Sequence, residues 1–352
     1  MSEITRREFF GAAGSLAGAS ALGIPAVAGK TREAVEPTVT LAITEYLRFT
    51  PLFTGKVQGR DLELHLVRGS RREMLDRTLD DATVDGGEGS MLGHLLRVDR
   101  GDRSMVAVPV FLLRNFTARD LYTLQGSGLT AQDLNGRRLG IYNWAASGAV
   151  WYRHLLRFLG NEPASIQWVV GGADAPTAVT ARAPLPSHVR DAPPDRSLTH
   201  LLQQGEIDAL FAPLPPAAYH RDDGPVVRLI PQYPNFEKRY FLETGFYPPQ
   251  HVLLIKRAAW EGNPQVGSRL LETFQECEAV FTSGQRLYPY ESPWMIKEVE
   301  DTELLMGPDY HAHGLAKNHD ALDAFCEAAF DDGLTTRRVT VEEYFGEFLG
   351  AS

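Results

Sequence analysis

Apolar residues in this chain fall into short runs separated by segments of helical spacing, the alternation expected of strands and helices packed in layers. Val39-Thr40-Leu41-Ala42-Ile43 is rich in strand formers and stops at the polar, aromatic segment Glu45-Tyr46-Leu47-Arg48, so it predicts a first strand feeding a loop. Leu62-Glu63-Leu64-His65-Leu66 alternates with period two and predicts a second strand. The spacing of Met74, Leu75 and Leu79 predicts a helix over 71–79. A brief extended piece at 82–84 leads into Gly86-Gly87-Glu88-Gly89-Ser90, which reads as a glycine-rich turn, and the helical pattern of Met91, Leu92, Leu95 and Leu96 follows.

Met105-Val106-Ala107-Val108-Pro109-Val110-Phe111 predicts a buried strand and Leu121-Tyr122-Thr123-Leu124 another. Residues 129–141 read as a short helix, an Asn135-Gly136 turn and a strand. Strand and helix then alternate through 150–159, 166–170, 198–204 and 209–211, an order that argues for α/β lobes with mostly parallel sheets flanked by helices. Pro176, Pro184, Pro186, Pro193 and Pro194 mark 173–196 as a surface excursion. Val252-Leu253-Leu254-Ile255 is a last buried strand, and the chain from Ala258 onward reads as helices, most clearly over 266–281, 294–305 and 318–330. A chain of 352 residues exceeds the size at which single cores usually split. The simplest architecture places 29–135 and 252–352 in a first lobe and inserts 136–251 as a second.

Ahead of the first strand, Thr5-Arg6-Arg7-Glu8-Phe9-Phe10 opens an uncharged stretch over 9–28 that closes on Ala26-Val27-Ala28. Paired arginines before a mildly apolar Gly/Ala-rich segment and a small-x-small site predict a twin-arginine export signal over 1–28. The mature chain would begin near Gly29 and work in the periplasm or another extracytoplasmic space, having met the twin-arginine translocase during export. Gly11, Gly14, Gly18, Gly23 and Pro25 make the stretch too weakly hydrophobic to read as an anchor.

The formal charge of -10 is unchanged by removing 1–28, which takes out Arg6 and Arg7 but also Glu3 and Glu8, and a net-acidic chain is a poor general binder of nucleic acid. Cys277 and Cys326 could pair in an oxidising periplasm, but they sit in helix-like apolar segments without CxxC spacing, so buried free thiols are the favoured reading, and they supply no zinc framework. His311-Ala312-His313 lacks a carboxylate or Cys pattern to complete a metal site and reads as a solvated loop. Neither a metal nor a cofactor is expected.

Five segments carry a resemblance: Tyr46-x-Arg48-x-x-Pro51-Leu52-x-x-Gly55-x-Val57; Val108-Pro109-Val110-Phe111-x-x-Arg114-x-Phe116; Leu134-Asn135-Gly136-Arg137-Arg138-Leu139-Gly140; Gly205-Glu206-Ile207-Asp208-Ala209; and Thr244-Gly245-Phe246-Tyr247-Pro248-Pro249-Gln250-His251. Over 39–347 the chain resembles the group that contains 4,5-dihydroxyphthalate decarboxylase and related extracytoplasmic solute-binding proteins. The resemblance implies a two-lobed fold of the type II periplasmic binding protein kind. It departs at Thr117-Ala118, where the decarboxylase-like members usually carry Arg-His, and this removes one candidate proton donor.

Open α/β sheets bind ligands beyond the carboxyl ends of their strands, which puts Tyr46 and Arg48 at such a site. Arg48 can fork onto a carboxylate, its alternative being a surface ion pair, and Tyr46 offers a ring face and a hydroxyl. Ser90 can cap the helix after it and bond a ligand, while Glu88 can accept a proton or serve only as a charge near the helix start. Arg114 is a second cationic arm or an interlobe salt bridge. In Tyr142-Asn143-Trp144-Ala145-Ala146-Ser147-Gly148, Ser147 opens a helix suited to an anion, and Trp144 is an aromatic wall or interlobe core. His251 stands at the crossing between lobes, as a proton donor, a ligand contact or a core histidine.

Together these predict a periplasmic solute-binding protein closing on a small anionic, aromatic carboxylate and handing it to a membrane permease. Arg48 and Arg114 would then pair its acid group, while Tyr46 and Trp144 pack its ring. The alternative is a cofactor-independent decarboxylase of the dihydroxyphthalate type, in which His251 and Glu88 are catalytic.

Overall fold

The computed structural model describes residues 37–177, 185–219, 224–285 and 292–351, and the predicted export signal lies outside them. In chain order the strands are β1 (Thr38–Thr44), β2 (Glu63–Gly69), β3 (Gly86–Ser90), β4 (Met105–Arg114), β5 (Leu121–Leu124) and β6 (Arg138–Ile141). They continue with β7 (Gln167–Val170), β8 (Val189–Asp191), β9 (Ala209–Phe211), β10 (Val226–Arg228) and β11 (Pro249–Lys256). The first sheet has the order β2-β1-β3-β11-β4 and the second β10-β5-β9-β6-β7-β8. Helices flank both, making an α/β fold of two lobes.

Each sheet is mixed, and in each a single strand runs against the rest: β11 in the first and β5 in the second. Both reversals follow from where the chain crosses. β4 ends at the carboxyl edge of the first sheet, so the chain enters the second from its carboxyl edge and its first strand there, β5, must run backwards. The return crossing does the same to β11. The first lobe therefore ends after Arg114, and Leu121–Leu124, which the sequence reading placed with it, pairs with β9 and β10 in the second sheet.

Three local expectations change. Gly86–Ser90 is not a turn but strand β3, at the centre of the first sheet. Its glycines are required by close approach: a Cβ on Gly86 would stand 2.2 Å from the Leu254 carbonyl oxygen, and one on Gly89 2.2 Å from Leu254 Cδ1. No helix forms at 129–135; Asn161 ties that segment as a loop, accepting from Leu134 N at 3.0 Å and donating to the Ala131 carbonyl at 2.8 Å. Within the proline-rich excursion, Val189–Asp191 adds an edge strand beside β7.

The helix Ser147–Phe158 belongs to both lobes. Val150 and Trp151 pack among Met91, Leu92 and Phe325 of the first lobe, while Ala149, Tyr152, Leu155 and Leu156 pack with Trp168 and Phe211 of the second. Tyr152 stacks on Phe211 at 4.0 Å between ring centroids. Trp151 Nε1 donates to the Pro249 carbonyl at 2.6 Å, and Arg153 and Arg157 converge on the buried Asp332 at 2.5 and 2.6 Å. Cys277 and Cys326 are buried free thiols in separate cores, as the apolar spacing predicts.

Candidate functional site

β1, β2 and β3 are parallel and end at one edge, where β11 begins. Thr44 lies opposite Gly69, so Tyr46 and Arg71 emerge from neighbouring strand ends at the same height. Ser90 lies opposite His251 and Glu88 opposite Leu253, which puts Glu88 and His251 diagonally on one face of an antiparallel pair, within side-chain reach.

Glu88 is fully buried. Its Oε1 accepts from the Tyr46 hydroxyl at 2.6 Å and from His251 Nδ1, and its Oε2 accepts from Thr44 N at 3.3 Å. Burial works to raise its carboxyl pKa, but the bond and charge of His251, with the bonds from Thr44 and Tyr46, outweigh it and hold the group below the ordinary range. An ionised Glu88 fixes the Nδ1–H tautomer of His251. The other ring nitrogen, Nε2, has no partner among the described residues and is not sealed from solvent. Burial and then the Glu88 charge push the Tyr46 phenol far above its usual range, so it stays a donor.

The second lobe closes on this edge through the start of the shared helix. Ser147 Oγ lies 2.9 Å from Ser90 Oγ and accepts from Leu92 N at 3.1 Å, while Ser90 Oγ caps its own helix by accepting from Gly93 N at 3.3 Å. Gly148 leaves room for its neighbours, since a Cβ there would stand 3.3 Å from Gln250 Oε1 and 3.4 Å from the Tyr142 hydroxyl. Burial pushes the Tyr142 phenol up to about 12. The structure thus brings Tyr46, Glu88, Ser90, Ser147 and His251 together.

One residue at this edge went unnoticed in the sequence. Arg71, the first residue of the helix Arg71–Asp80, is half-buried and makes no hydrogen bond or ion pair among the described residues. Its positive charge reaches the phenols of both Tyr46 in the first lobe and Tyr142 in the second. The available signal was its place two residues past the end of β2, beside a helix cap.

The two arginines expected to hold a ligand are turned inward. Arg48 bonds Glu278 at 3.0 Å and the carbonyls of Phe111 and Leu112 at 2.6 and 2.7 Å. Arg114 donates to the carbonyls of Tyr247 at 2.9 Å and Ala312 at 3.0 Å and to Asn318 Oδ1 at 2.5 Å; burial, then the Arg48 charge, lowers its pKa to about 9. Bulges in β4 opposite Val252 and His251 explain this, because they take main-chain groups out of the ladder and something must bond them. Gly314 N serves the Pro109 carbonyl at 2.8 Å, and His313 Nδ1 accepts from Phe111 N at 3.2 Å. His313 is accordingly buried and His311 half-buried rather than solvated, and burial, then the charges of Arg48 and Arg114, lowers the pKa of His311 to about 2. Trp144 is core of the second lobe, edge-on to Trp168 at 5.6 Å and covered by the Arg153 guanidinium at 4.1 Å.

No family model matches the chain. It is 26% identical over 315 residues to the 4,5-dihydroxyphthalate decarboxylase of Comamonas testosteroni, covering 87% of this chain and 96% of that protein. That similarity runs along nearly the whole length of both chains. The 4,5-dihydroxyphthalate decarboxylase of Pseudomonas putida is 27% identical over 186 residues, 51% of this chain and 72% of that protein. Among solved structures, a putative periplasmic sulfonate-binding protein of an ABC transporter from Methylobacillus flagellatus is similar at 10% identity and a TM-score of 0.49, over 89% of this chain and 93% of that one.

Chemically, the edge holds a carboxylate–imidazole pair with one ring nitrogen open, a phenol locked as donor, two facing serine hydroxyls and a guanidinium without a partner among the described residues. The pair can deliver or accept a proton at His251 Nε2. Among the described residues no group of three or more His, Cys, Asp or Glu is placed to hold a metal ion.

Proposed function

We propose that this chain is a decarboxylase acting on a hydroxylated aromatic acid of the 4,5-dihydroxyphthalate kind, bound between the lobes. The observation that carries the reading is the buried Glu88 carboxylate on His251 Nδ1. It orients the ring and leaves Nε2 free. Similarity to decarboxylases over most of both chains supports the same reading.

In the reaction, protonated His251 gives its Nε2 proton to the ring carbon that carries the departing carboxylate. A new C–H bond forms, and the ring hydroxyl para to that carbon supplies the electron pair, passing its proton to solvent and taking one back once carbon dioxide has left. The bond to the carboxyl carbon then breaks, its electrons restore the aromatic ring, and carbon dioxide leaves. With 4,5-dihydroxyphthalate the product is 3,4-dihydroxybenzoate, and His251 regains a proton from solvent. Glu88 stabilises the protonated ring and Tyr46 keeps Glu88 in place.

A binding-only role in uptake is the second reading, favoured by the Arg6-Arg7 leader, which would send the chain out of the cytoplasm. Incubating the purified protein with 4,5-dihydroxyphthalate and measuring carbon dioxide separates the two. Release beyond one equivalent per chain supports the decarboxylase. Thermal stabilisation by the acid with no release favours a solute-binding protein that serves a permease.

A further inference from the structure

Arg71 is placed for a role that the proton transfer at His251 does not use. We infer that it binds the carboxylate that stays on the ring; the inference rests on the decarboxylase reading and assigns the residue that anchors its substrate.

The first argument is position. Thr44 and Gly69 are register partners, so Tyr46 and Arg71 each lie two residues beyond the same rung of the sheet, on the edge where Glu88 and His251 meet. The second is availability. Arg48 and Arg114 are consumed by carbonyls, Glu278 and Asn318, and Arg153 by Asp332, whereas Arg71 has no hydrogen bond or ion pair among the described residues. Its neighbour Arg72, equally able to serve the surface, reaches Asp76 at 3.7 Å. The third is context. Arg71 opens a helix, where the partial positive charge of the free N–H groups disfavours a cation, and Ser70 already caps that end. A cation kept at a helix start without a partner gains nothing for the fold.

Chemistry decides which carboxylate it takes. A guanidinium on the departing group would bond an anion that becomes neutral carbon dioxide, and the lost attraction would raise the barrier. Held against the remaining carboxylate, the same bond persists from substrate to product and positions the ring over His251. The guanidinium fork suits a planar carboxylate, so lysine would be a partial substitute.

The test uses Arg71→Ala and Arg71→Lys in the full chain. With 4,5-dihydroxyphthalate, KM should rise roughly 10- to 100-fold in Arg71→Ala, the loss of one charge-assisted pair, with kcat changed much less and Arg71→Lys intermediate. Binding of 3,4-dihydroxybenzoate, which keeps the carboxylate, should weaken by the same factor, while binding of catechol, which has none, should not change. If wild type turns over but KM and the 3,4-dihydroxybenzoate affinity are unaltered in Arg71→Ala, the inference is overturned and the decarboxylase stands. If wild type binds the dicarboxylate without turnover and Arg71→Ala loses that affinity, the decarboxylase falls and Arg71 is kept as the carboxylate ligand. Equal weakening of catechol and 3,4-dihydroxybenzoate would mean a general disturbance of the site and would also overturn it.

Discussion

Replacing Glu88 by Gln sets two opposed effects against each other, and the geometry says which one wins. Glu88 is fully buried, and removing a buried charge recovers a desolvation cost that can reach several kcal/mol. Against this stand three donors, the Tyr46 hydroxyl and His251 Nδ1 on one oxygen and Thr44 N on the other. A Gln that turns its oxygen toward Tyr46 and His251 must point its amide at the Thr44 N–H, so one bond is lost and two become neutral. Charge-assisted bonds are worth about 1.5–3 kcal/mol and neutral ones about 1, so the bonding loss is about 1–4 kcal/mol in excess of the long Thr44 bond. The downward shift of the Glu88 carboxyl means that its partners outweigh its burial. A net loss of about 1–3 kcal/mol at pH 7 is therefore expected in urea denaturation.

The pH dependence sharpens this. The folded carboxyl titrates below the unfolded one, near 4.3 for an ordinary Glu, so its contribution is complete above that value and disappears as pH falls through the folded one. Wild type and Glu88→Gln should differ at pH 7 and converge as acid protonates the folded carboxyl. The variant should also lose about 100-fold or more in kcat, because His251 loses the charge that steadies its protonated form. Equal or greater stability of Glu88→Gln at pH 7, or a gap that does not close with acid, would refute the reasoning.

Other outcomes follow from the same geometry. Asp332→Asn strands Arg153, which is completely buried, without a counter-charge, and should cost about 3–5 kcal/mol in urea denaturation; an unchanged midpoint would show that the shared helix is held by its apolar faces alone. Burial raises the Asp120 carboxyl to about 7, so the folded state keeps a proton that the unfolded chain has already lost, and stability should fall as pH rises from about 4 to 7. Asp120→Asn should raise the melting temperature at pH 8 and leave it nearly unchanged at pH 4. His251→Gln should lower kcat by about 100-fold or more with little effect on KM, and an unaltered kcat would remove His251 as the proton donor. Arg6→Lys together with Arg7→Lys should leave folding intact and keep the precursor in the cytoplasm of an expressing bacterium; efficient export would count against a twin-arginine signal.

What could be read in the sequence was what local pattern encodes. Period-two and 3.6-residue spacing located β1, β2, β4, β11 and the helices after Ala258, and the short segment before each helix marked Ser90 and Ser147 as cap and opening residues. Gly86–Ser90 misled because glycine is scarce in strands, and only the packing of Leu254 against Gly86 and Gly89, and of Ala42 against Gly87, shows why those three positions tolerate no Cβ. The fates of Arg48 and Arg114 were set by bulges in β4 and by the 307–318 segment bonding them, contacts between residues far apart in the chain. His313 read as solvated for the same reason. Arg71 was hidden by its surroundings: an arginine opening a polar helix looks like surface until the register of β1 and β2 places it beside Tyr46.

The identity of the inward arginines bears on the choice between binding and chemistry. A site evolved only to hold an acid gains from every cation and loses from every anion near it. Here Arg48 and Arg114 are spent on carbonyls and protein side chains, while an ionised glutamate sits beneath the cleft. At about 6 Å and an effective dielectric constant near 20, a carboxylate above an unneutralised Glu88 would be repelled by roughly 3 kcal/mol, a factor of over 100 in affinity. For affinity alone, an uncharged partner in place of Glu88 would serve better. For protonating a ring carbon, as in the proposed reaction, the pair supplies what is needed, and under the same proposal Arg71 would anchor the carboxylate that remains.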